Sequence, residues 1–293
     1  MRKENLIFGA CISAIGYLFA AASAACSKLL GKEISVFTIV FFQNAICLIF
    51  TFSEQVKEGF SSLKTQRFGL HLARDISGFV CFFLFYSSLK YIPLVDGVLL
   101  MYTGPLWIPF IALIYPRVKM KNHTWWGILI GFLGIVFILK PGTAVLNPGA
   151  FMGLASGFLA GFSAIAVRRL SQTESTNQIL FYYFLFGTIV SAPFFYFSMQ
   201  SISSIELLNL LGVGLFAYLS QSLTTHAYRH GKASVMSPIS YLAIVGSGIL
   251  GWILWHELPD VVALCGMILV ICGGILSIYF EKRYEKRMRE GVR

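Results

Sequence analysis

Three side chains interrupt the apolar run that covers residues 68–89: His71, Arg74 and Asp75. An arginine about two turns into an apolar helix is a donor fork matched to a carboxylate or phosphate. The competing roles are a side chain that snorkels to headgroups and one that locks a gate against neighbouring loops. His71 and Asp75 stand four apart on one helical face, a spacing that predicts a pair between them. Asp96 opens the next apolar run, where a carboxylate complements a helix N-terminus, and His226 lies toward the end of a later one. Ionisable groups at such depth are costly and usually functional. Every Glu falls in a loop or at a helix end, so no deep carboxylate suggests a proton relay.

Uncharged polar residues recur at helical spacing in further apolar runs. Tyr218, Gln221, Ser222 and Thr225 form one stripe; Ser234, Ser237, Pro238, Ser240 and Tyr241 form a second; Tyr102, Thr103, Pro105 and Pro109 form a third. Gln43, Asn44, Tyr182 and Tyr183 are additional candidates. In lipid such stripes must face protein or water. Prolines free backbone carbonyls, which a membrane tolerates where a helix lines a cavity or flexes. The expected ensemble is a cavity of tyrosine, hydroxyl and amide groups suited to a polar or zwitterionic solute with an apolar part. For each residue alone, helix–helix hydrogen bonding is the competing role. The sequence holds no phosphate loop, metal-ligand cluster or nucleophile–base pair, so no metal, cofactor or catalytic residue is expected.

Membrane helices must position these groups. A chain of 293 residues that is 57% hydrophobic and 12% charged, with a mean hydropathy of +0.74, has too much apolar surface for one soluble domain. Its net charge of +10 does not indicate nucleic acid, because the basic residues punctuate apolar runs instead of clustering on a solvated face. The six cysteines lie inside apolar runs without paired spacing and read as packing residues. Cutting at charges, prolines and polar clusters gives ten predicted spans: 5–27, 34–52, 68–89, 94–115, 124–140, 149–167, 177–198, 207–228, 235–255 and 260–280.

Basic residues test that partition. Arg2, Lys3, Lys57, Lys64, Arg67, Arg117, Lys119, Lys121, Arg168, Arg169, Arg229, Lys232 and the six of the tail at 281–293 fall on one side; Lys28, Lys32, Lys90 and Lys140 fall on the other. The positive-inside rule then puts both termini in the cytoplasm, with the tail along anionic headgroups as a further role.

Shifting the chain by 140 positions lays GACISAIGYLFAAASAACSKLL (9–30) over GAFMGLASGFLAGFSAIAVRRL (149–170) and Lys28 over Arg168. A shift of 139 brings Tyr102 onto Tyr241, Gly127 onto Gly266 and Gly134 onto Gly273. Residues 9–30 end in small residues and a cysteine, like a cleavable leader, but a duplicated segment with a long apolar run is expected to be retained. Five spans per repeat is an odd number, so the halves are expected in opposite orientations, the arrangement that underlies alternating access. The predicted units are 1–142, 143–280 and a basic cytoplasmic tail, 281–293.

With LARDISGFVCFFLFYSSLKYIPLVDGVLLMYTGPLWIPF, HAYRHGKASVMSPISYL and HELPDVVALCGMILVICGGIL, the chain resembles the drug/metabolite transporter superfamily in its ten-helix EamA-type branch. In that family a Glu and two spaced glycines mark the last helix junction, here Glu257, Gly266 and Gly273; the first half, at PRVKMKNHTWWG, has no Glu. The resemblance implies an all-α protein of two inverted five-helix repeats in a bacterial inner membrane. Its expected activity is secondary transport of a small organic metabolite by exchange or facilitation. The favoured solute is S-adenosylmethionine-, flavin- or nucleoside-like, the alternative is export of amino acids or their derivatives, and a membrane-embedded enzyme is a remote third.

Arg74, Tyr102, Tyr218, Gln221, Ser222, Thr225, Ser237, Ser240, Tyr241, Gln43 and Asn44 are the substrate candidates; His71, Asp75, Asp96, Pro105 and Pro238 are the gating or coupling candidates. The expected partners are the solute and the lipid bilayer, with no nucleic acid. Gly127, Gly131, Gly134, Gly266, Gly273 and Gly274 form smooth faces for structural contacts, a homodimer among the options.

Overall fold

The structure is a computed structural model that describes residues 6–59, 63–104, 106–107, 111, 129–134, 136–137, 147–171, 173–198, 200–230, 237–258 and 260–290. Among these residues it is all helix and turn, with no strand. The helices are α1 (Leu6–Leu29), α2 (Val36–Glu58), α3 (Phe68–Ser88), α4 (Leu94–Met101), α5 (Pro148–Leu170), α6 (Thr176–Phe197), α7 (Ser204–His230), α8 (Leu242–Trp255) and α9 (Val261–Glu290). A 3-10 turn, Ser237–Tyr241, precedes α8. Residues 129–134 and 136–137 are also helical.

Local chemistry sets the starts. Ser35 accepts from the amide of Phe37 to open α2, and Ser175 accepts from Gln178 to open α6. Asn147 caps α5, with Pro148 in its first turn. Ser203 and Glu206 form a reciprocal capping box at the start of α7.

Among the described residues, six helices are long and apolar enough to cross a membrane: α1, α2, α3, α5, α6 and α7. At 1.5 Å per residue, α1 with its 24 residues is about 36 Å long, enough to span the hydrocarbon core. Burial is inverted relative to a soluble protein. Ile49, Phe197, Ile205, Leu208, Val261 and Ile268 are largely exposed, while Ser13, Ser23, Gln43, Asn44, His71 and Arg74 are buried. That surface suits lipid.

Packing is selective. α1 packs on α7 and α8, α3 on α5, α2 on α6 and α7, and α4 on α5 and α8. Directions alternate: α3 runs from His71 to Ser88, beside the start of α5 at Gly149, and α5 returns to Arg169, whose carbonyl accepts from Arg67. Along α5, Gly153, Gly157 and Gly161 form a small-residue seam for α4. A Cβ at Gly157 would lie 2.3 Å from the Leu100 carbonyl oxygen, and one at Gly161 2.7 Å from that of Gly104. Only glycine permits that crossing. The glycine faces expected to make structural contacts make them within the chain: a Cβ at Gly134 would lie 2.6 Å from the carbonyl oxygen of Gly266.

Several predicted spans differ from the helices found: α2, predicted at 34–52, continues to Glu58, and α9, predicted at 260–280, continues to Glu290. The run predicted at 235–255 begins with the 3-10 turn containing Pro238 and becomes α-helical at Leu242, because proline removes an amide donor and its ring crowds the preceding turn. The run predicted from 94 ends its first helix at Met101, with Tyr102 and Thr103 in a turn. Pro105, Pro109, Gly127, Lys140 and Ser234 lie outside the described residues.

Candidate functional site

Arg74 sits in the second turn of α3 and is 4% exposed. Its guanidinium carbon lies 3.5 Å from the centre of the Tyr183 ring on α6, a cation–π stack. Asp75 Oδ1 is 3.9 Å from Arg74 Nη1, so the pair is in ionic contact without a hydrogen bond. Two glycines make room for this arrangement. A Cβ at Gly78 would fall 2.9 Å from the Tyr183 ring, and one at Gly187 would fall 2.3 Å from Asn44 Oδ1.

What distinguishes the region is its unused hydrogen-bonding capacity. Arg74 Nε and Nη1, Asp75 Oδ1, Tyr183 Oη, both amide atoms of Gln43 and Asn44 Oδ1 are buried without a partner. Leaving such a group unmade costs about 1–3 kcal/mol. Several on α2, α3 and α6 are therefore poorly explained by fold stability and well suited to recognising a polar solute.

The remaining sequence candidates divide between two places. Tyr183 belongs to a small core with Cys47, Leu180, Phe184 and Ala217, against which Tyr218 packs. Tyr218 donates to Glu54 at 2.6 Å and stacks on Phe50; Gln221, Ser222 and Thr225 follow it, half-buried, along α7. Tyr102 and Tyr241 instead join the main core beside α1, where Tyr102 meets Tyr17 edge-on at 5.8 Å. Tyr241 Oη is buried without a partner, and Ser240 is buried beside it in sequence. Ser237 and Pro238 lie in the 3-10 turn. Asp96 is half-buried in the first turn of α4.

One expectation is corrected. His71 does not pair with Asp75: its Nε2 meets Glu174 Oε2, from the turn between α5 and α6. A carboxylate folded back from a loop competes successfully with the local i, i+4 spacing because it approaches the ring along the hydrogen-bonding direction. Thr65 also donates to Glu174, and the Tyr182 ring lies 4.5 Å from the imidazole while its hydroxyl donates to the Leu63 carbonyl. Asn177 and Gln55 join amides nearby at 3.1 Å. This is the His71 end of the bundle.

The opposite, Lys28 end carries a second pair that the site analysis of the sequence missed. Lys28 donates to both Glu257 oxygens at 2.6 and 2.7 Å and to the Ile92 carbonyl at 3.3 Å, while lying 5.1 Å from the Trp255 ring centre. Glu257 also accepts from the amide of Leu94, the first residue of α4. It is aimed there by His256, whose φ of 54° ends α8 in the left-handed region. One carboxylate thus joins α1, α4 and the α8–α9 junction. Lysine in the last turn of an apolar helix was the available signal; Glu257 stood out as the Glu of the last helix junction, but nothing in the sequence joined it to a lysine 229 residues away.

A multi-pass helical membrane bundle with uncommitted polar groups in its interior is the architecture of a membrane transporter. The chain belongs to the EamA-like transporter family, which matches residues 7–140 and again 147–279. It is 26% identical to a pseudopaline exporter of Pseudomonas aeruginosa, over 81% of this chain and 84% of that one. It is 25% identical to an S-adenosylmethionine uptake transporter of Rickettsia felis, over 90% of each, and 25% identical to a riboflavin transporter of Vibrio cholerae, over 78% and 77%. A crystal structure at 19% identity superposes with a TM-score of 0.66 over 97% of this chain and 100% of its own, a likeness of fold.

Proposed function

We propose that the chain is a secondary transporter, an exchanger or facilitator, which moves a small organic metabolite by alternating access. The observation that carries this reading is Arg74, buried against Tyr183 with two guanidinium nitrogens unbonded and Asp75 beside it. An opposite-charge couple with spare capacity is suited to the carboxylate and amine of an α-amino-acid group. S-adenosylmethionine carries that group on a nucleoside, and the names of the Rickettsia relatives accord with it. Export of amino acids or their derivatives is the second reading, favoured by the same couple. Flavin uptake has the support of the Vibrio relative's name but has no zwitterion to offer Arg74 and Asp75.

The proposed frame is ten spans in two inverted repeats, 1–142 and 143–280. Supporting it, α1 and α5, one repeat apart, run in opposite directions, and the packing of α1 on α7 has its counterpart in α3 on α5. The His71 end then faces the cytoplasm of a bacterium with both termini and the basic tail, and the Lys28 end faces outward from the inner membrane. Substrate groups are drawn from Arg74, Asn44, Gln43 and Tyr183, with Tyr102, Tyr218 and Tyr241 farther along the path.

Counterflow in liposomes tests the reading with labelled S-adenosylmethionine, riboflavin and an amino-acid panel. One solute should accumulate against its unlabelled pool, and Arg74→Ala should lower its exchange by at least about tenfold. Counterflow of none of them into correctly folded, oriented vesicles would reject the proposed substrates; unaltered exchange by Arg74→Ala would remove Arg74 from the site.

A further inference from the structure

A cavity of about 160 Å³ opens at the Lys28 end, lined by Ser27, Lys28, Gly31, Lys32, Lys90 and Trp255, with Leu89 at its side. Three of the four lysines that the charge pattern assigns to this face meet here, from segments about sixty residues apart. The positive-inside rule disfavours basic residues on this face, so their convergence calls for another cause.

Their partners differ. Lys28 is held by Glu257 and the Ile92 carbonyl, and Lys90 donates to the carbonyls of Lys32 and Ile34. Lys32 is exposed, with its ammonium 5.7 Å from the Tyr91 ring centre. Burial lowers the pKa of Lys90, so an added negative charge would relieve that cost. The Ser27 hydroxyl is 3% exposed and without a hydrogen-bond partner. Gly31, at φ 66°, turns the chain and leaves open space where a side chain would begin. Trp255 supplies a flat apolar wall. Three ammonium groups and a hydroxyl without a partner thus line the cavity, while Glu257, paired with Lys28, already serves the amide of Leu94.

We propose that this cavity binds the carboxylate or phosphate of an anion, which competes with Glu257 for Lys28 and so releases α1 from the α8–α9 junction. The anion takes donors from Lys32, Ser27 and Lys28. Glu257, partly exposed, keeps the Leu94 amide and gains water. That such an anion belongs to the transported solute rests on the function proposed above; binding itself does not. A phospholipid headgroup offers the same oxygens and is the other source.

The test uses the full chain in phosphatidylcholine nanodiscs at constant ionic strength, titrated with inorganic phosphate or succinate, with Trp fluorescence as readout and Trp255→Phe to assign the signal. A saturable change is expected. Lys32→Gln and Ser27→Ala should each raise its midpoint by about tenfold, the loss of a charge-assisted bond, while Lys57→Gln, at the other end, should leave it unchanged. Glu257→Gln, which frees Lys28, should lower the midpoint. No saturable response, or unchanged midpoints in Lys32→Gln and Ser27→Ala, overturns the site; an unchanged midpoint in Glu257→Gln overturns the competition. Discs containing phosphatidylglycerol separate the sources: suppression of the titration there, with co-purifying lipid lost in Lys32→Gln, assigns the site to a headgroup. Saturable binding by a chain that exchanges no solute would retain the site and reject the transporter reading.

Discussion

The Lys28 end and the His71 end are each tied by one basic side chain and one carboxylate, yet the two ties differ in burial and surroundings. Lys28–Glu257 is partly open, with side chains 10% and 27% exposed, and it borders a cavity. His71–Glu174 is closed in, at 1% and 6%, among Thr65, Tyr182 and the Gln55–Asn177 amides.

The largest expected effect separates the two by burial. His71→Leu leaves the Glu174 carboxylate buried without its imidazole partner and should lower stability by about 1–3 kcal/mol, read from the unfolding midpoint in detergent. Lys28→Gln, at a pair whose Glu257 is partly exposed and keeps the Leu94 amide, should lose less by the same measurement; equal losses would break the comparison.

The smallest effect sharpens the first: Thr65→Val removes one hydrogen bond to Glu174 and should lower stability by about 1 kcal/mol, with Lys28-end labelling kinetics unaltered.

Much of the scaffold was legible because membrane spans announce themselves in apolar length. The runs at 5–27, 34–52, 68–89, 149–167, 177–198 and 207–228 all coincide with long helices. Arg74 was legible too, as a charge where lipid penalises charge. The seam at Gly153, Gly157 and Gly161 was written in plain four-residue spacing and passed over in favour of other glycines. Glu174, and the partner of Glu257, were harder, since a loop carboxylate carries no mark of the helix it will meet. The i, i+4 spacing of His71 and Asp75 was misleading for a related reason: local geometry permits a pair, but tertiary structure supplied another carboxylate.

The Ser23 hydroxyl on α1 donates to the carbonyl of Val213 on α7, across 190 residues. At ribosomal speeds of about 5–20 residues per second, roughly 10–40 s separate the synthesis of these two partners. For that interval the first helix is already in the membrane with the face meant for α7 uncovered. Assembly is therefore a late event in the birth of this chain. Ribosome stalling or truncation before α7 would leave that surface as a mark by which quality-control proteases recognise an unfinished protein.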